Sequence, residues 1–469
     1  MSEYVQGYIE RARKARALAE SWTQEDADRA VEAIARAVYD NAEELARLAV
    51  DETGMGVYED KVAKNRNKAR LVLADLAGKM SVGVIARHPD EGITEVASPV
   101  GVVAAITPVT NPIVTPMSNA MFALKGRNAI VITPHHRAVR SSTRTVELIN
   151  AHLEAVGVPS GIVQIIGEHS RENTRELISL ADVVIATGGM GMVQAAYSSG
   201  RPALGVGAGN VQCIIDSDAD IDEAIPMVVA GRAFDNGIIC AAEQSLIFPA
   251  EKKDSIVGAL TRSGAFVLGP APGAPGAADY GEAKIDPSAA LRAAIFTEDG
   301  MNRHLVGQSV QAVARAAGLA DLGIDVPADV RIIAVFADGP GVADSLSGEK
   351  MCPVLTLYPY GTFEEAVAIA RANLEFEGKG HTVSIHSRNE AHIEYAGLNL
   401  PVSRVLVNQS SATSAGGSEY NGLAATNTLG CGSWGGNSIS ENLTYRHLLN
   451  ISRIAYRLDA SRFQGSVLG

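Results

Sequence analysis

The sequence predicts an α/β protein with a doubly wound parallel sheet and a second α/β domain. Short runs that are apolar on both faces, such as residues 100–106 and 129–133, alternate with helical patterns up to residue 234. Strands of this kind, when helices separate them, form a parallel sheet covered on both faces, and right-handed crossovers make it doubly wound. Further strand and helix signals between residues 331 and 386 predict the second domain. A chain of 469 residues is long enough for about two or three domains.

The predicted elements divide the chain into three parts. We expect a first domain at residues 1–230, a second at residues 231–435, and a C-terminal arm at residues 436–469. Alternating apolar and polar residues at 84–98 predict a hairpin in the first domain. The arm is expected to contain a helix at residues 441–459. Ligands of a doubly wound sheet bind at the carboxyl ends of its strands, so residues that follow strands are candidates for a site.

Two local patterns mark a helix start and a loop. Thr23 is placed to cap the second helix, with Glu25 and Asp26 adding negative charge to its first turn. The run of proline, glycine and alanine at residues 269–276 predicts an exposed loop.

Composition excludes several classes of function. The formal net charge of −13 argues against a general nucleic-acid-binding protein, because a phosphate backbone would repel it. Four cysteines with no CxxC pair predict neither a disulfide framework nor a zinc site. There is no apolar stretch of about 18 residues and no apolar signal core before the first helical pattern. We therefore expect a cytoplasmic protein without a nucleic-acid or membrane partner.

Cys240 is the candidate nucleophile. It follows a turn that contains Gly237 and lies at the edge of the apolar run 245–249, beside polar residues such as Asp235 and Glu243. A thiolate in this position is accessible to a substrate, whereas structural cysteines usually lie inside an apolar run. From this window alone, a small packing residue is the favoured interpretation. The rest of the chain reverses that preference and favours Cys240 as the nucleophile.

Two other segments follow strands of the predicted sheet, and a third is a glycine cluster. Asn111 lies in the segment 107–112, where its amide can donate to a developing oxyanion; a turn residue before proline is the alternative. Residues 187–191 open a helix, and their glycines permit close approach of a pyrophosphate. A second glycine cluster at 205–209 allows either a close ligand or a crowded packing contact. Tight turns use the same glycines, so neither cluster is specific by itself.

In their order along the chain, these segments resemble the aldehyde dehydrogenase superfamily. The resemblance covers nearly the whole chain and also includes residues 349–353. Residues 234–244, 379–382 and 428–438 are similar to the coenzyme-A-acylating branch, including the aldehyde half of bifunctional aldehyde/alcohol dehydrogenases. The resemblance implies an aldehyde dehydrogenase-like fold with a cofactor domain, a catalytic domain and a small oligomerisation element. It also implies a stand-alone acylating enzyme that lacks the alcohol half.

The resemblance assigns roles to individual residues. It makes Cys240 the nucleophile, and it pairs Asn111 with the Cys240 backbone amide as an oxyanion hole. Glu349 matches the residue that holds the nicotinamide ribose. The other candidates for the cofactor site are Thr107, Pro108, Thr133, His135, Thr187, Gly188 and Gly191. A homodimer or homotetramer is implied, formed through the hairpin and the C-terminal arm.

One departure from the family predicts the reaction. Hydrolysing members carry a glutamate that activates water, whereas the matching position here is Gly205. Water needs a positioned base to release a thioester from Cys240. Coenzyme A needs less help, because a thiol with a pKa of about 8.5 supplies about a few per cent of thiolate at neutral pH. Transfer of the acyl group to coenzyme A, rather than hydrolysis, is therefore implied.

A second departure concerns the dinucleotide. Hydrolysing members have Lys-Pro-Ser-Glu where residues 133–136 read Thr-Pro-His-His. The acidic partner of a ribose 2′-hydroxyl is missing, and Arg137 and Arg140 are close in sequence. We expect NADP slightly ahead of NAD. A solvated helix face is the alternative interpretation of the two arginines.

The substrate side is predicted from His381 and from the loop after Arg404. His381 is expected either to stabilise the thiolate, to assist the attacking thiol, or to hydrogen-bond a turn. Arg404 and the following loop, including Ser410 and Ser411, are expected to receive an anionic head group; a flexible surface loop is the alternative.

Several functions fit this chain, and one leads. The segment 426–430 is similar to acylating sulfoacetaldehyde dehydrogenases, so sulfoacetaldehyde is the leading substrate. Acetaldehyde, propionaldehyde and succinate semialdehyde are the alternative aldehydes. A hydrolytic aldehyde dehydrogenase and a catalytically silent assembly subunit are the alternative functions; Gly205 speaks against the first, and the presence of both Cys240 and Glu349 against the second.

Overall fold

The computed structural model describes residues 3–269, 286–298 and 300–459. The helices are α1 (Glu3–Leu18), α2 (Gln24–Asp40), α3 (Ala42–Thr53), α4 (Tyr58–Leu76), α5 (Val114–Lys125), α6 (Val139–Ala155), α7 (Arg171–Leu180), α8 (Met190–Tyr197), α9 (Ile221–Ala233), α10 (Lys253–Arg262), α11 (Pro287–Ile295), α12 (Val310–Ala316), α13 (Phe363–Phe376), α14 (Glu390–Asn399) and α15 (Ser411–Ser414). The strands are β1 (Gly83–His88), β2 (Ile93–Pro99), β3 (Val102–Ile106), β4 (Ala129–Thr133), β5 (Val163–Ile165), β6 (Val183–Thr187), β7 (Ala203–Val206), β8 (Val211–Ile215), β9 (Glu243–Pro249), β10 (Ala265–Leu268), β11 (Phe296–Thr297), β12 (Gly300–Met301), β13 (Ile332–Phe336), β14 (Val354–Tyr360), β15 (Gly380–His386), β16 (Val402–Val407) and β17 (Leu449–Ala455). The predicted loop at 269–276 lies, apart from Gly269, outside the described residues.

The first sheet is parallel and has the order β5-β4-β3-β6-β7. Every residue of β3 and β4 is buried, as two-faced apolar strands require. The chain leaves β3 toward β4 and β5 and then returns to place β6 on the other side of β3. This reversal of strand order opens a crevice at the carboxyl ends of β3 and β6, where doubly wound sheets bind ligands.

The second sheet is also parallel and has the order β10-β13-β14-β9-β8-β15-β16. The first domain predicted at residues 1–230 includes residues 211–215, which form β8. Strand β8 pairs with β9 and β15, so the chain crosses from the first sheet to the second between β7 and β8. An apolar strand has the same local pattern in either sheet, and only its distant partners decide the difference.

The third sheet is antiparallel and has the order β1-β2-β17. Its β1-β2 pair confirms the hairpin predicted at residues 84–98. The helix predicted at residues 441–459 is wrong, because this segment contains a short 3-10 turn at Tyr445–Leu448 and then β17. Strand β17 pairs with β2 from Leu449↔Pro99 to Ala455↔Ile93. The hydrogen bonds of this ladder replace those of a helix.

The predicted start of α2 is confirmed. The Asp26 backbone N–H donates to the Thr23 hydroxyl at 3.2 Å, and the Thr23 N–H donates to the Asp26 carboxylate at 2.9 Å. This reciprocal pair satisfies two backbone donors that the first turn leaves free. Across the described ranges, no helix combines the length and the apolar character needed to cross a membrane.

Candidate active site

A left-handed turn precedes the candidate nucleophile. Asp235, Asn236 and Gly237 have φ angles of 52°, 54° and 70°. Each non-glycine residue in this region costs about 1 kcal/mol or more. The surroundings hold the turn, since the Asp235 N–H donates to Asp60 Oδ2 at 2.7 Å and the Asn236 amide donates to the Gly307 carbonyl at 3.0 Å. The chain is thus bent sharply just before the thiol.

The second glycine cluster packs against the nucleophile. A Cβ at Gly209 would lie 1.9 Å from the Cys240 carbonyl oxygen, so no other residue fits there. A Cβ at Gly205 would lie 2.7 Å from both the Tyr197 ring and Val193. The Gly205 N–H also donates to Tyr197 Oη at 2.9 Å. A side chain at position 205 would have to displace Tyr197, and glycine itself supplies no base.

A cavity of about 210 Å³ opens beside Cys240, and Asn111 lies on the same wall. The fold therefore brings together the two residues predicted as catalytic. A cavity of this volume has room for several water molecules, so it suits a short-chain molecule. The rest of the wall includes Leu71, Phe234, Ile239, Thr413, Ser414, Ser418, Tyr420, Thr426, Asn427 and Leu429.

Asn111 is held by a buried ion cluster. Lys64 Nζ lies 2.9 Å from Asn111 Oδ1 and 2.6 Å from Asp235 Oδ2. Lys61 Nζ lies 3.0 Å from the same carboxylate oxygen. Burial alone would raise the pKa of Asp235, but the Lys64 and Lys61 ammonium groups outweigh it and lower the pKa. The carboxylate is therefore charged at neutral pH and bound to both lysines.

The Cys240 thiol is protonated in the ligand-free site. Burial raises its pKa to about 12, and the Glu349 carboxylate adds to this shift. The Arg404 guanidinium acts in the opposite direction and lowers the pKa. Because the thiolate is the reactive form, attack requires that Cys240 loses its proton as the substrates bind.

Glu349 lies in a loop that buried side chains fix from several sides. The Glu349 N–H donates to Glu377 Oε2 at 2.7 Å, and the Lys350 N–H donates to Gln244 Oε1 at 2.9 Å. The buried Arg232 guanidinium donates to the Lys350 carbonyl. Burial, followed by the Glu377 charge, raises the pKa of Glu349 to about 8. A rigidly held carboxyl group of this kind can accept hydrogen bonds from a ribose, as its predicted role requires.

The residues predicted for the dinucleotide lie at the carboxyl edge of the first sheet. Thr107 follows β3, Thr133 ends β4 and Thr187 ends β6. The Thr107 hydroxyl is buried and has no hydrogen-bond partner among the described residues. A Cβ at Gly188 or Gly191 would meet no atom within 4 Å, so the start of α8 faces open space. An unpaired hydroxyl beside an uncrowded helix start fits the phosphates of a dinucleotide.

A histidine cluster lies at the end of β4. The ring centroids of His135 and His136 are 4.2 Å apart, and those of His136 and His169 are 5.9 Å apart. Burial, followed by the charges of His136 and His169, lowers the pKa of His135 to about 4. His135 is therefore neutral at physiological pH. Pro108 lies at the same edge and is half-buried.

The first turn of α6 and one of the arginines after the histidine cluster contact the end of α3. The Arg137 guanidinium donates to the Thr53 carbonyl at 3.2 Å. The Glu52 carboxylate accepts the backbone N–H groups of Arg140 and Ser141, each at 2.7 Å. These contacts fix the start of α6 against α3, and the preference for NADP over NAD stays a prediction.

A sequence model of the aldehyde dehydrogenase family matches residues 2–272. The chain belongs to the aldehyde dehydrogenase family. The enzyme superposes with a TM-score of 0.90 on an acetylating aldehyde dehydrogenase from Geobacillus thermoglucosidasius, at 36% identity, with coverage of 97% of this chain and 96% of that chain. The fold class predicted from the sequence is confirmed by this likeness.

Two curated relatives cover nearly the whole enzyme. It is 50% identical to the succinate-semialdehyde dehydrogenase (acetylating) of Clostridium kluyveri, over 96% of this chain and 94% of the relative. It is 36% identical to the sulfoacetaldehyde dehydrogenase (acylating) of Bilophila wadsworthia, over 95% of this chain and 93% of the relative. The predicted resemblance to the acylating branch is confirmed.

Arg404 and His381 lie behind the cavity of the enzyme rather than on its wall. The buried Arg404 guanidinium donates to Thr382 Oγ1 at 3.1 Å, to Asn442 Oδ1 at 3.1 Å and to the Gly430 carbonyl at 2.7 Å. Its donors are therefore engaged within the protein, and the geometry does not support its predicted role as a receptor for an anionic head group. His381 is fully buried, and no residue in the described part of the chain hydrogen-bonds its ring nitrogens. Burial, assisted by Arg404, lowers its pKa to about 3.

The two predicted serines surround a buried carboxylate. The Ser411 N–H donates to Glu243 Oε1 at 2.6 Å, and the Ser410 hydroxyl donates to the same oxygen at 3.3 Å. Burial raises the pKa of Glu243 to about 7. The described wall of the Cys240 cavity includes neither serine. These groups therefore stabilise the start of β9 beside the nucleophile rather than contact a substrate in that cavity.

The cavity wall carries more positive than negative charge. Lys64, Lys68 and Arg70 all line it, and Glu419 is the acidic side chain on it. Lys64 and Arg70 each have a carboxylate partner. Lys68 Nζ donates to the Gly416 carbonyl at 3.0 Å, and no carboxylate in the described ranges pairs with it. Burial lowers the pKa of Lys68 to about 8, so the ammonium form still predominates at neutral pH.

The lysines near the cavity were not among the predicted site residues, although their spacing in the sequence was a signal. Lys61, Lys64 and Lys68 recur at positions i, i+3 and i+7 of α4 and therefore share one helix face. Lysines at the surface of a helix do not usually share a face with buried apolar residues. The face of α4 that carries these lysines also contributes the buried residues Ala69 and Val72. This combination of basic and buried residues indicated a charged cavity wall.

Proposed function

We propose that this enzyme oxidises a short anionic aldehyde to its coenzyme A thioester, with NAD or NADP as the hydride acceptor. The observation that carries the proposal is the Lys68 ammonium group on the wall of the Cys240 cavity, for which no carboxylate partner lies among the described residues. Withdrawing a cation from water without a counter-ion is unfavourable. A carboxylate or sulfonate on the substrate supplies that counter-ion through charge-assisted hydrogen bonds.

The chemistry begins at Cys240. Its thiolate attacks the aldehyde carbon and forms a carbon–sulfur bond, while the carbonyl oxygen becomes an oxyanion. In this proposal the Asn111 amide and the Cys240 backbone N–H donate hydrogen bonds to that oxyanion. When the oxyanion collapses to a carbonyl, the hydride leaves the former aldehyde carbon, and a thioester remains on Cys240. A bound dinucleotide supplies the site that accepts the hydride.

Release of the acyl group depends on the absence of a basic side chain at position 205. A water molecule needs a base to attack the thioester, and glycine offers none. The coenzyme A thiolate attacks the same carbon without that base, the bond to Cys240 breaks, and the Cys240 thiolate is regenerated. The product is an acyl-coenzyme A rather than a free acid.

Succinate semialdehyde is proposed ahead of sulfoacetaldehyde, the substrate that the sequence analysis favoured. Both carry an anionic group opposite the aldehyde, as the Lys68 position requires. The acetylating relative with the higher identity acts, by its name, on succinate semialdehyde. A cavity of about 210 Å³ accommodates its four-carbon chain.

The predicted homodimer or homotetramer is also a proposal. Strand β17 is an outer strand of the third sheet, with one edge unpaired by described strands. Ile454 and Tyr456 are 47% and 58% exposed on this segment. An apolar outer strand is a surface that a second subunit can cover.

A panel of aldehydes tests the proposed substrate class. We expect kcat/KM, measured with saturating coenzyme A and dinucleotide, to be at least about tenfold higher for succinate semialdehyde than for butyraldehyde, since one charged hydrogen bond contributes about 1.5–3 kcal/mol. Sulfoacetaldehyde and propionaldehyde form a second matched pair of charged and neutral compounds. A panel in which the neutral aldehydes are the better substrates would contradict the proposal.

A further inference from the structure

Lys64 contacts the candidate oxyanion residue and the turn before the nucleophile at the same time. Its Nζ lies 2.9 Å from Asn111 Oδ1 and 2.6 Å from Asp235 Oδ2. Lys64 is 8% exposed, so these contacts are largely shielded from water. Nothing in the family resemblance stated above assigns a role to this lysine.

The chemistry of an ammonium group fixes which way the Asn111 amide points. An ammonium group only donates hydrogen bonds, so the side-chain atom that it contacts must be the amide oxygen. The Asn111 nitrogen then points away from Lys64, on the other side of Cγ within the same amide plane. No acceptor among the described residues takes a hydrogen bond from this nitrogen, and Asn111 lines the cavity beside Cys240. A free N–H donor therefore remains available to the substrate oxygen.

We propose that Lys64 is a positioning residue for the oxyanion hole: it holds the Asn111 amide with its nitrogen directed at the reacting carbonyl oxygen. This inference rests on the proposed role of Asn111. Without Lys64, the amide loses the contact that distinguishes its oxygen from its nitrogen. In the rotated state the amide oxygen would face the developing oxyanion and repel it.

Asp235 anchors this lysine and couples it to the nucleophile. The Asp235 carboxylate binds Lys64 and Lys61 and accepts the Val57 N–H at 2.9 Å. Asp235 also begins the left-handed turn that leads to Cys240. A single buried carboxylate thus fixes the position of Lys64 relative to the thiol. The Asn111 amide and the Cys240 thiol come from distant parts of the chain. The ion pair between Lys64 and Asp235 connects them.

The test is a double-mutant cycle of Lys64 and Asn111, with Lys61 as the matched control. Lys61→Met removes an ammonium group from the same carboxylate but has no contact with Asn111. The measured quantity is the rate constant of the first turnover, followed as dinucleotide reduction after rapid mixing with succinate semialdehyde. Thermal unfolding and titration of the Cys240 thiol show how much folded enzyme each variant contributes.

The cycle distinguishes positioning from general stabilisation. We expect Lys64→Met and Asn111→Ala each to slow the first turnover by about 10²-fold, the size of effect seen when an oxyanion donor is lost. The double variant should be no slower than Asn111→Ala, because Lys64 acts through that amide. Lys61→Met should lower the unfolding temperature while keeping the rate within about threefold of the parent, as for a residue with no partner in the reaction.

Four outcomes would overturn the inference. In the first, Lys64→Met keeps the parental rate although Asn111→Ala is slow. In the second, Lys64→Met slows the Asn111→Ala variant by the same factor as it slows the parent enzyme. Lys61→Met could be as slow as Lys64→Met, which would assign the effect to the ion pair with Asp235. If Asn111→Ala itself keeps the parental rate, the proposed oxyanion role of Asn111 fails, and with it the function proposed for Lys64.

Discussion

Replacement of Cys240 by serine is expected to abolish aldehyde oxidation, with a loss of more than about 10⁴-fold in kcat, as when the nucleophile of a covalent mechanism is removed. A serine hydroxyl is a much weaker acid than a thiol and remains un-ionised where burial already raises the pKa of the cysteine to about 12. Serine is close to cysteine in size, so the turn at Asp235–Gly237 is expected to form as before. The measurement is dinucleotide reduction with succinate semialdehyde and coenzyme A.

A second cysteine provides the control for this variant. Cys213 is buried in the core of the second sheet, and burial raises its pKa far above the usual range. Cys213→Ala is expected to lower stability and to leave kcat near the parental value. Parental activity in the Cys240→Ser variant, with Cys213→Ala inactive, would contradict the assignment of the nucleophile.

Lys68→Met is expected to reverse the preference for charged aldehydes. Methionine keeps the length and apolar stem of the side chain but removes the ammonium group that faces the cavity. Leaving a buried substrate charge unpaired costs about 2–5 kcal/mol, so kcat/KM for succinate semialdehyde should fall by roughly 30- to 5,000-fold more than that for butyraldehyde. The ratio of the two kcat/KM values is the quantity to compare. Arg70→Met is the matched control, because Glu419 already neutralises Arg70 and its loss should change the ratio less.

The pH dependence of the same ratio gives an independent test of Lys68. In the free enzyme its pKa is lowered to about 8, so the ammonium form is present below this pH and is lost above it. The ratio for the charged over the neutral aldehyde should therefore fall as pH rises through about 8. Ionisation of Cys240 affects both substrates alike and cancels in the ratio. A ratio that stays constant across this range, or an equal fall in Lys68→Met, would contradict the role of Lys68.

Local patterns predicted most elements of this fold, because helices and strands here follow periodicity and capping. The capping pair of Thr23 and Asp26 and the apolar runs of β3 and β4 are set by residues close in sequence. The sheet to which β8 belongs is set by hydrogen bonds to β9 and β15, and nothing in residues 211–215 records those partners. Strand β17 is similar, since a mixed polar and apolar segment becomes a strand only against β2.

The candidate site was predictable where it depends on residue type and not where it depends on distant contacts. Cys240 was a candidate because it lies between a turn and the apolar run 245–249, and Asn111 because it follows a strand. The family resemblance gave both residues their roles, and the fold places both on one cavity wall. Arg404 was chosen for its charge, but tertiary hydrogen bonds engage that charge inside the protein. Lys64 and Lys68 lie on α4, which is far in sequence from the strands that end at the site. Only the packing of the folded chain brings these lysines close to the Cys240 thiol. Which charged side chain remains without a partner on a cavity wall therefore depends on the folded structure and not on the local sequence.

The most direct test of the central claim is to mix the enzyme with succinate semialdehyde and dinucleotide in the absence of coenzyme A. The account predicts one equivalent of reduced dinucleotide per active site and a covalent acyl group on the peptide that contains Cys240, seen by mass spectrometry. Addition of coenzyme A should then release that group as succinyl-coenzyme A and restore continuous turnover. Continuous production of free acid without coenzyme A, or an acyl group on any other residue, would contradict it.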